Sequence, residues 1–84
     1  MQEKDNIRLV VLTPEKTVLD AMVSKVTLPA TKGQFMVLYN HAPVITSLDE
    51  GDIVYESEGK RTVLNIAGGF AEVNENVVTI CAEL

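Results

Sequence analysis

Short runs rich in valine, isoleucine and threonine recur along the whole chain, cut by turn residues at intervals of about 8 to 12. That rhythm belongs to all-β sandwiches and barrels, because β-branched side chains pack well on a pleated surface and lose freedom in a helix. Ile7 to Thr13 reads as a first strand, ended by Thr13-Pro14-Glu15-Lys16, where Pro14 has no N–H to give a ladder. Thr17 to Met22 and Ser24 to Leu28 read as the second and third strands. No strong turn signal separates them, so a bulge or bend is expected near Asp20 to Val23. In the third strand Val26 and Leu28 point one way and Lys25 and Thr27 the other, the alternation of a half-buried strand.

Pro29-Ala30-Thr31-Lys32-Gly33 follows as a small, polar loop. Phe35 to Leu38 reads as a short strand, Tyr39-Asn40-His41 as a polar corner, and the chain resumes as a strand from Val44. Pro43 fixes its own φ and pushes Ala42 out of the helical region, so this corner is extended and stiff. Asp49-Glu50-Gly51-Asp52 is a tight connection in which Gly51 is expected to supply a positive φ. Ile53 to Ser57 and Arg61 to Ile66 form a hairpin about a three-residue loop, Glu58-Gly59-Lys60. Phe70 to Val73 and Val77 to Ala82 form another about Asn74-Glu75-Asn76. The Gly68-Gly69 pair between them marks a bulge, a bend or a close approach of backbone to backbone. With 84 residues and no linker or repeat, residues 1–84 are expected to be one domain with a thin core.

The charge balance narrows the function classes. Seven Lys and Arg against twelve Asp and Glu give a net charge of −5, the wrong sign for a nucleic-acid surface or for direct binding to anionic lipid. The four aromatic residues, Phe35, Tyr39, Tyr55 and Phe70, are too few for a stacking groove of the oligonucleotide-binding kind. A lone cysteine, Cys81, makes no internal disulfide and fits a reducing compartment. Met1 to Asn6 lack the basic start and apolar stretch of a leader, and no run reaches the length of a membrane span, so a cytoplasmic protein is expected.

No residue pattern carries catalysis. His41, the single histidine, has the right intrinsic acidity for a general base, but no spacing ties it to Thr46, Ser47 or Cys81 as a nucleophile. One histidine and one cysteine make a poor zinc set. Asp49-Glu50-Gly51-Asp52 lacks the alternating ligands of a calcium loop, and no helix start follows Gly68-Gly69 to hold a phosphate. Cys81, in an apolar strand, reads as a small buried hydrophobe. Lys60 in its hairpin invites comparison with the modified lysine of a carrier domain, yet Glu58-Gly59-Lys60-Arg61 lacks symmetrical apolar flanks. No cofactor, no metal and no catalytic residue is expected.

Taken together the segments carry a resemblance. Gly33, then Asn40-His41-Ala42-Pro43-Val44-Ile45-Thr46, then Leu48, Gly51 and Ile53, then Ala67-Gly68-Gly69-Phe70-Ala71-Glu72-Val73, then Asn76-Val77-Val78-Thr79-Ile80, keep the order and spacing of a known pattern. The chain resembles the N-terminal domain of the F-type ATP synthase epsilon subunit. That resemblance implies a flattened ten-stranded β-sandwich, non-catalytic, at the foot of the central stalk. It would link the gamma subunit to the ring of c subunits, on the cytoplasmic side of the membrane and held there only through the complex. It also implies that Thr13, His41 and Thr46 look toward gamma, and that Thr31, Lys32, Gly33, Gln34 and Phe35 meet the polar loops of the c-ring. Where the family often has Leu-Gly-Ile and Pro-Gly, this chain has Phe35-Met36-Val37 and Tyr39-Asn40, so its ring-facing edge is bulkier. The family's C-terminal helical hairpin has no counterpart in these residues, so restraint of hydrolysis by helix extension and a bound ATP are not expected of them.

Overall fold

In β1 (Ile7–Leu12) every second side chain, Ile7, Leu9 and Val11, is wholly withdrawn from solvent, and the rest of the sandwich is built by the same alternation. A computed structural model describes residues 4–84; the reading of Met1 to Glu3 as part of a leaderless start lies outside them. The remaining strands are β2 (Thr17–Val23), β3 (Lys25–Leu28), β4 (Phe35–Val37), β5 (Val44–Leu48), β6 (Gly51–Ser57), β7 (Lys60–Ile66), β8 (Gly68–Asn74) and β9 (Val77–Glu83). They form a five-stranded sheet in the order β2-β1-β9-β8-β5 and a four-stranded sheet in the order β4-β3-β6-β7.

Val78, Ile80, Ala82, Ala71, Val73 and Leu48 from the larger sheet close on Val26, Leu28, Val37, Ile53 and Ile66 from the smaller. Each contact removes apolar area from water at roughly 25 cal/mol per Å². The body is flattened, 35 × 23 × 19 Å. The fold class is as expected, while the described residues hold nine strands where the resemblance implies ten. Next to the polar loop, pairing shrinks to one bridge, Ala30 to Leu48, because Thr31 and Lys32 turn the chain at once.

Other expectations are corrected in detail. The bulge falls at Val18, between the pairs Val11–Leu19 and Leu12–Thr17, and not near Asp20 to Val23. The extra residue lets consecutive side chains, Val18 and Leu19, both reach the core. The change of sheet is made at buried Ser24, whose N–H and hydroxyl both donate to the Glu56 carbonyl, at 2.8 and 3.3 Å. Both hairpins close in two residues. Glu58 and Gly59 have φ of 54° and 75°, Glu75 and Asn76 of 49° and 63°, the left-handed pairs whose twist matches the flanking strands. Lys60 and Asn74 therefore belong to strands, paired with Ser57 and Val77.

Gly51 is a strand residue without positive φ, and its requirement is space: a Cβ there would lie 2.9 Å from Cβ of Pro29. Gly69 does mark a close approach of backbones, since a Cβ there would overlap the Cys81 carbonyl oxygen and lie 3.0 Å from Cα of Ala82. Cys81 itself is exposed, against the expectation of burial. Val78, Ile80 and Ala82 take the inward positions of β9, and parity sends Cys81 outward.

Candidate functional site

The crossover of residues 38–43 joins β4, an edge of one sheet, to β5, an edge of the other, and so wraps one side of the sandwich. His41 is half-buried in it, with its N–H donating to the Leu38 carbonyl at 3.1 Å and its ring Nδ1 2.7 Å from the Ala42 carbonyl. Asn40 precedes it at φ 64°, a conformation that asparagine tolerates better than most residues. Thr46 lies on β5 at the same edge. It is half-buried, on the side of the strand that also carries Leu48, and its hydroxyl donates to the Ser47 carbonyl at 3.1 Å.

Thr13 is elsewhere. It sits in the β1–β2 turn, where its backbone N–H donates to the Lys16 carbonyl at 2.9 Å and its hydroxyl to the same oxygen at 3.2 Å. From β1 to β5 the order β1-β9-β8-β5 makes three strand steps, about 14 Å at the usual spacing. His41 and Thr46 thus share an edge, and Thr13 borders the outer face of the same sheet.

That outer face carries residues that sequence reasoning did not single out. Leu12, Cys81, Phe70 and Ser47 stand opposite one another on β1, β9, β8 and β5, and Val10, Thr79, Glu72 and Ile45 form the neighbouring row. Phe70 is 65% exposed and Ile45 76%. An open groove of about 410 Å³ runs beside Leu12, Thr13, Pro14, Phe70 and Cys81. Strand parity was the available signal: with Ala71 and Val73 buried, Phe70 and Glu72 face outward. Large apolar groups exposed near one another on a sheet face, as Phe70 and Ile45 are here, are characteristic of a surface that another protein covers.

The polar loop is the second region. Thr31, Lys32, Gly33 and Gln34 are exposed, Gly33 has φ 131°, and Phe35 is half-buried at the start of β4. The loop is tied along its entering limb: Thr31 N–H donates to the Ser47 carbonyl at 3.0 Å and Asp49 N–H to the Pro29 carbonyl at 2.9 Å. The two regions meet where the Phe35 and His41 rings lie 5.9 Å apart.

The charged connection after β5 points to structural partners. Asp49 accepts from the Thr31 hydroxyl at 3.0 Å and Asp52 from the Asn65 amide at 2.9 Å. No group of three His, Cys, Asp or Glu among the described residues is arranged to hold a metal ion. Lys60 begins β7 and is not at the tip of its hairpin. Across the outer face, Arg8 reaches Asp20 with two nitrogens, at 3.0 and 2.7 Å, and this pairing holds the Asp20 carboxyl below its ordinary pKa, hydrogen bonding being the largest cause.

Comparison with known proteins identifies the family of the sandwich. The family described as ATP synthase, Delta/Epsilon chain, beta-sandwich domain matches residues 6–84. The ATP synthase epsilon chain of Synechococcus sp. (strain JA-2-3B'a(2-13)) is 44% identical over 70 residues, 83% of this chain and 51% of that protein. That of Carboxydothermus hydrogenoformans is 44% identical over 78 residues, 93% of this chain and 58% of that protein. The chain thus spans little more than half the length of these relatives. Among solved structures, a chain of the Euglena gracilis mitochondrial ATP synthase, in an assembly of OSCP, F1 and c-ring, superposes with a TM-score of 0.87 at 29% identity, covering 98% of this chain and 53% of that one. A chain of the Tetrahymena thermophila mitochondrial ATP synthase central stalk and c-ring superposes with a TM-score of 0.78, covering 99% of this chain and 67% of that one; at 16% identity this speaks to the fold alone.

Proposed function

The chain belongs to the family of ATP synthase delta/epsilon chain beta-sandwich domains, and from that premise we propose that it serves as the epsilon subunit of a rotary F-type ATP synthase. In this reading it is a non-catalytic link of the central stalk, holding the gamma subunit to the c-ring and coupling ion translocation to ATP synthesis. The observation that carries it is the likeness, at 29% identity over 98% of the chain, to a chain of the Euglena assembly that contains F1 and the c-ring.

The physics of the body supports the role. Two hydrogen-bonded sheets closed on one dry core resist shear, so a torque applied to one face reaches the other without deforming the domain. The gamma-facing side is the edge of His41 and Thr46 together with the outer face bordered by Thr13. The ring-facing side is the loop of Thr31, Lys32, Gly33 and Gln34, ending at Phe35. The half-buried Phe35 and His41, their rings tilted 36° to each other at 5.9 Å, join the two sides. The domain sits peripherally on the cytoplasmic side and touches the membrane only through its partners.

The described residues hold no helix, so they act through strands and loops, and coupling and assembly are assigned to them before any restraint of hydrolysis. Removing the protein from the reconstituted enzyme is expected to uncouple ATP hydrolysis from ion pumping, and restoring it to recover coupling. Full coupling in its absence would refute the assignment. Strong inhibition of hydrolysis by these 84 residues alone would contradict the division of roles.

A further inference from the structure

Beyond the backbone ties at its base, the polar loop is held by a chain of three side chains from two separate segments. The Ser47 hydroxyl lies 2.8 Å from the Thr31 hydroxyl, which in turn lies 3.0 Å from Oδ1 of Asp49. The direction of donation is set by chemistry. A carboxylate only accepts, so Thr31 must donate to Asp49, and its remaining lone pairs accept from Ser47. Hydrogen bonds onto an ionised acceptor are the stronger kind, so Asp49 anchors the chain.

The place of Thr31 gives this anchor its consequence. Gly33 N–H donates to the Ala30 carbonyl at 2.9 Å, closing a turn with Thr31 and Lys32 at its tip. Backbone bonds hold the limb entering that turn, through the Ala30–Leu48 bridge, the Thr31 N–H and the Pro29 carbonyl, and the pair Leu28–Phe35 closes the loop beyond it. A turn so held can still pivot about that limb. The Thr31 hydroxyl, gripped between Ser47 and Asp49, removes that freedom. Pro29, at the start of the loop, lies close over Gly51 of β6.

We propose that Asp49 is a positioning residue: through Thr31 and Ser47 it sets the angle at which the Lys32 turn is presented to the c-ring. This rests on the reading of Thr31 to Phe35 as ring-facing.

The test uses the full protein in the assembled ATP synthase, in a Cys81→Ala background. Gln34→Cys carries a photoactivatable maleimide, and the readouts are the yield of cross-link to the ring, co-purification with gamma, and melting of the free protein. Asp49→Ala and Thr31→Val are expected to lower the ring cross-link about three- to tenfold, the ratio that follows from losing one solvent-exposed hydrogen bond of ordinary strength. Asp49→Asn and Thr31→Ser, which keep the acceptor and the hydroxyl, should restore it; gamma capture should stay unchanged throughout, and melting should fall by no more than the roughly 4–8 °C of one lost hydrogen bond. An undiminished cross-link in Asp49→Ala overturns the positioning role alone. A joint fall of cross-link, gamma capture and melting overturns it in favour of general stabilisation. No ring cross-link from the Gln34→Cys parent overturns the ring-facing reading, and the positioning role with it.

Discussion

Asn40 and Asn76 clasp each other across 36 positions of sequence: the Asn40 N–H donates to Oδ1 of Asn76 at 2.6 Å, and the Asn76 amide donates back to Oδ1 of Asn40 at 3.2 Å. The pair fastens the crossover that carries His41 to the β8–β9 turn, and so joins the edge of His41 and Thr46 to the central strands. Both residues have positive φ, 64° and 63°, so each asparagine serves as a turn residue and a clasp.

Asn76→Gly keeps the left-handed turn and removes the clasp, so it isolates the side chain. It is expected to destabilise the domain by about 1 kcal/mol, a fall in melting temperature of roughly 4–8 °C for a domain of this size. Asn76→Ala adds the backbone penalty and should be worse. Thermal unfolding followed by circular dichroism checks both, and equal stability of Asn76→Gly and the parent would show that the clasp is idle.

Gly69→Ala brings a Cβ onto the Cys81 carbonyl oxygen at φ 148°, and so combines overlap with strain. Overpacking and backbone strain each cost about 1–3 kcal/mol, together a large part of the roughly 5–10 kcal/mol expected of such a domain. Gly33→Ala is the comparator, since φ there is 131° but nothing lies within 4 Å of the added carbon. Urea unfolding should rank Gly69→Ala well below Gly33→Ala; the reverse order would contradict the close approach.

The exposed Cys81 should react with a thiol reagent in the native protein at a rate near that of the unfolded chain. Binding to gamma, if it covers the outer face, should slow the reaction. A native thiol that reacts only on unfolding would contradict its outward placement.

Phe70 is exposed, so Phe70→Asp should change stability by only about 0.5 kcal/mol. If the outer face is the gamma interface, the same substitution should weaken capture of gamma about tenfold or more, as expected for a buried charge in place of an aromatic anchor. Titration calorimetry against gamma reads the effect, and unchanged affinity would move the interface away from this row.

The Asp20 carboxyl, with its pKa held down by Arg8, contributes stability above its unfolded pKa and loses it as pH falls through the lower folded value. In Arg8→Ala the Asp20 pKa should rise to the ordinary carboxylate range. Carbon-detected NMR titration of the carboxyl checks this, and an unchanged Asp20 titration would show that Arg8 is not its cause.

The strands were legible because period-two alternation is written in neighbouring residues, as in Val26 and Leu28 against Lys25 and Thr27. The hairpin positions were legible from Glu58-Gly59 and Glu75-Asn76, although their lengths were overcounted, because ladder pairs such as Ser57–Lys60 form across the gap and not along the chain. The facing of Cys81 was misread because an apolar neighbourhood in sequence does not reveal strand parity. Only burial of Ile80 and Ala82 against the other sheet does that.

By itself the sequence determined an acidic all-β chain without a catalytic constellation, together with the pattern that marks its family. Those properties reside in residue chemistry and local spacing. Tertiary structure alone decided that β1 lies parallel to β9, that Asn40 meets Asn76, and that Asp49 holds Thr31. Each joins segments distant in sequence, and such contacts exist only once the two sheets have closed on a common core.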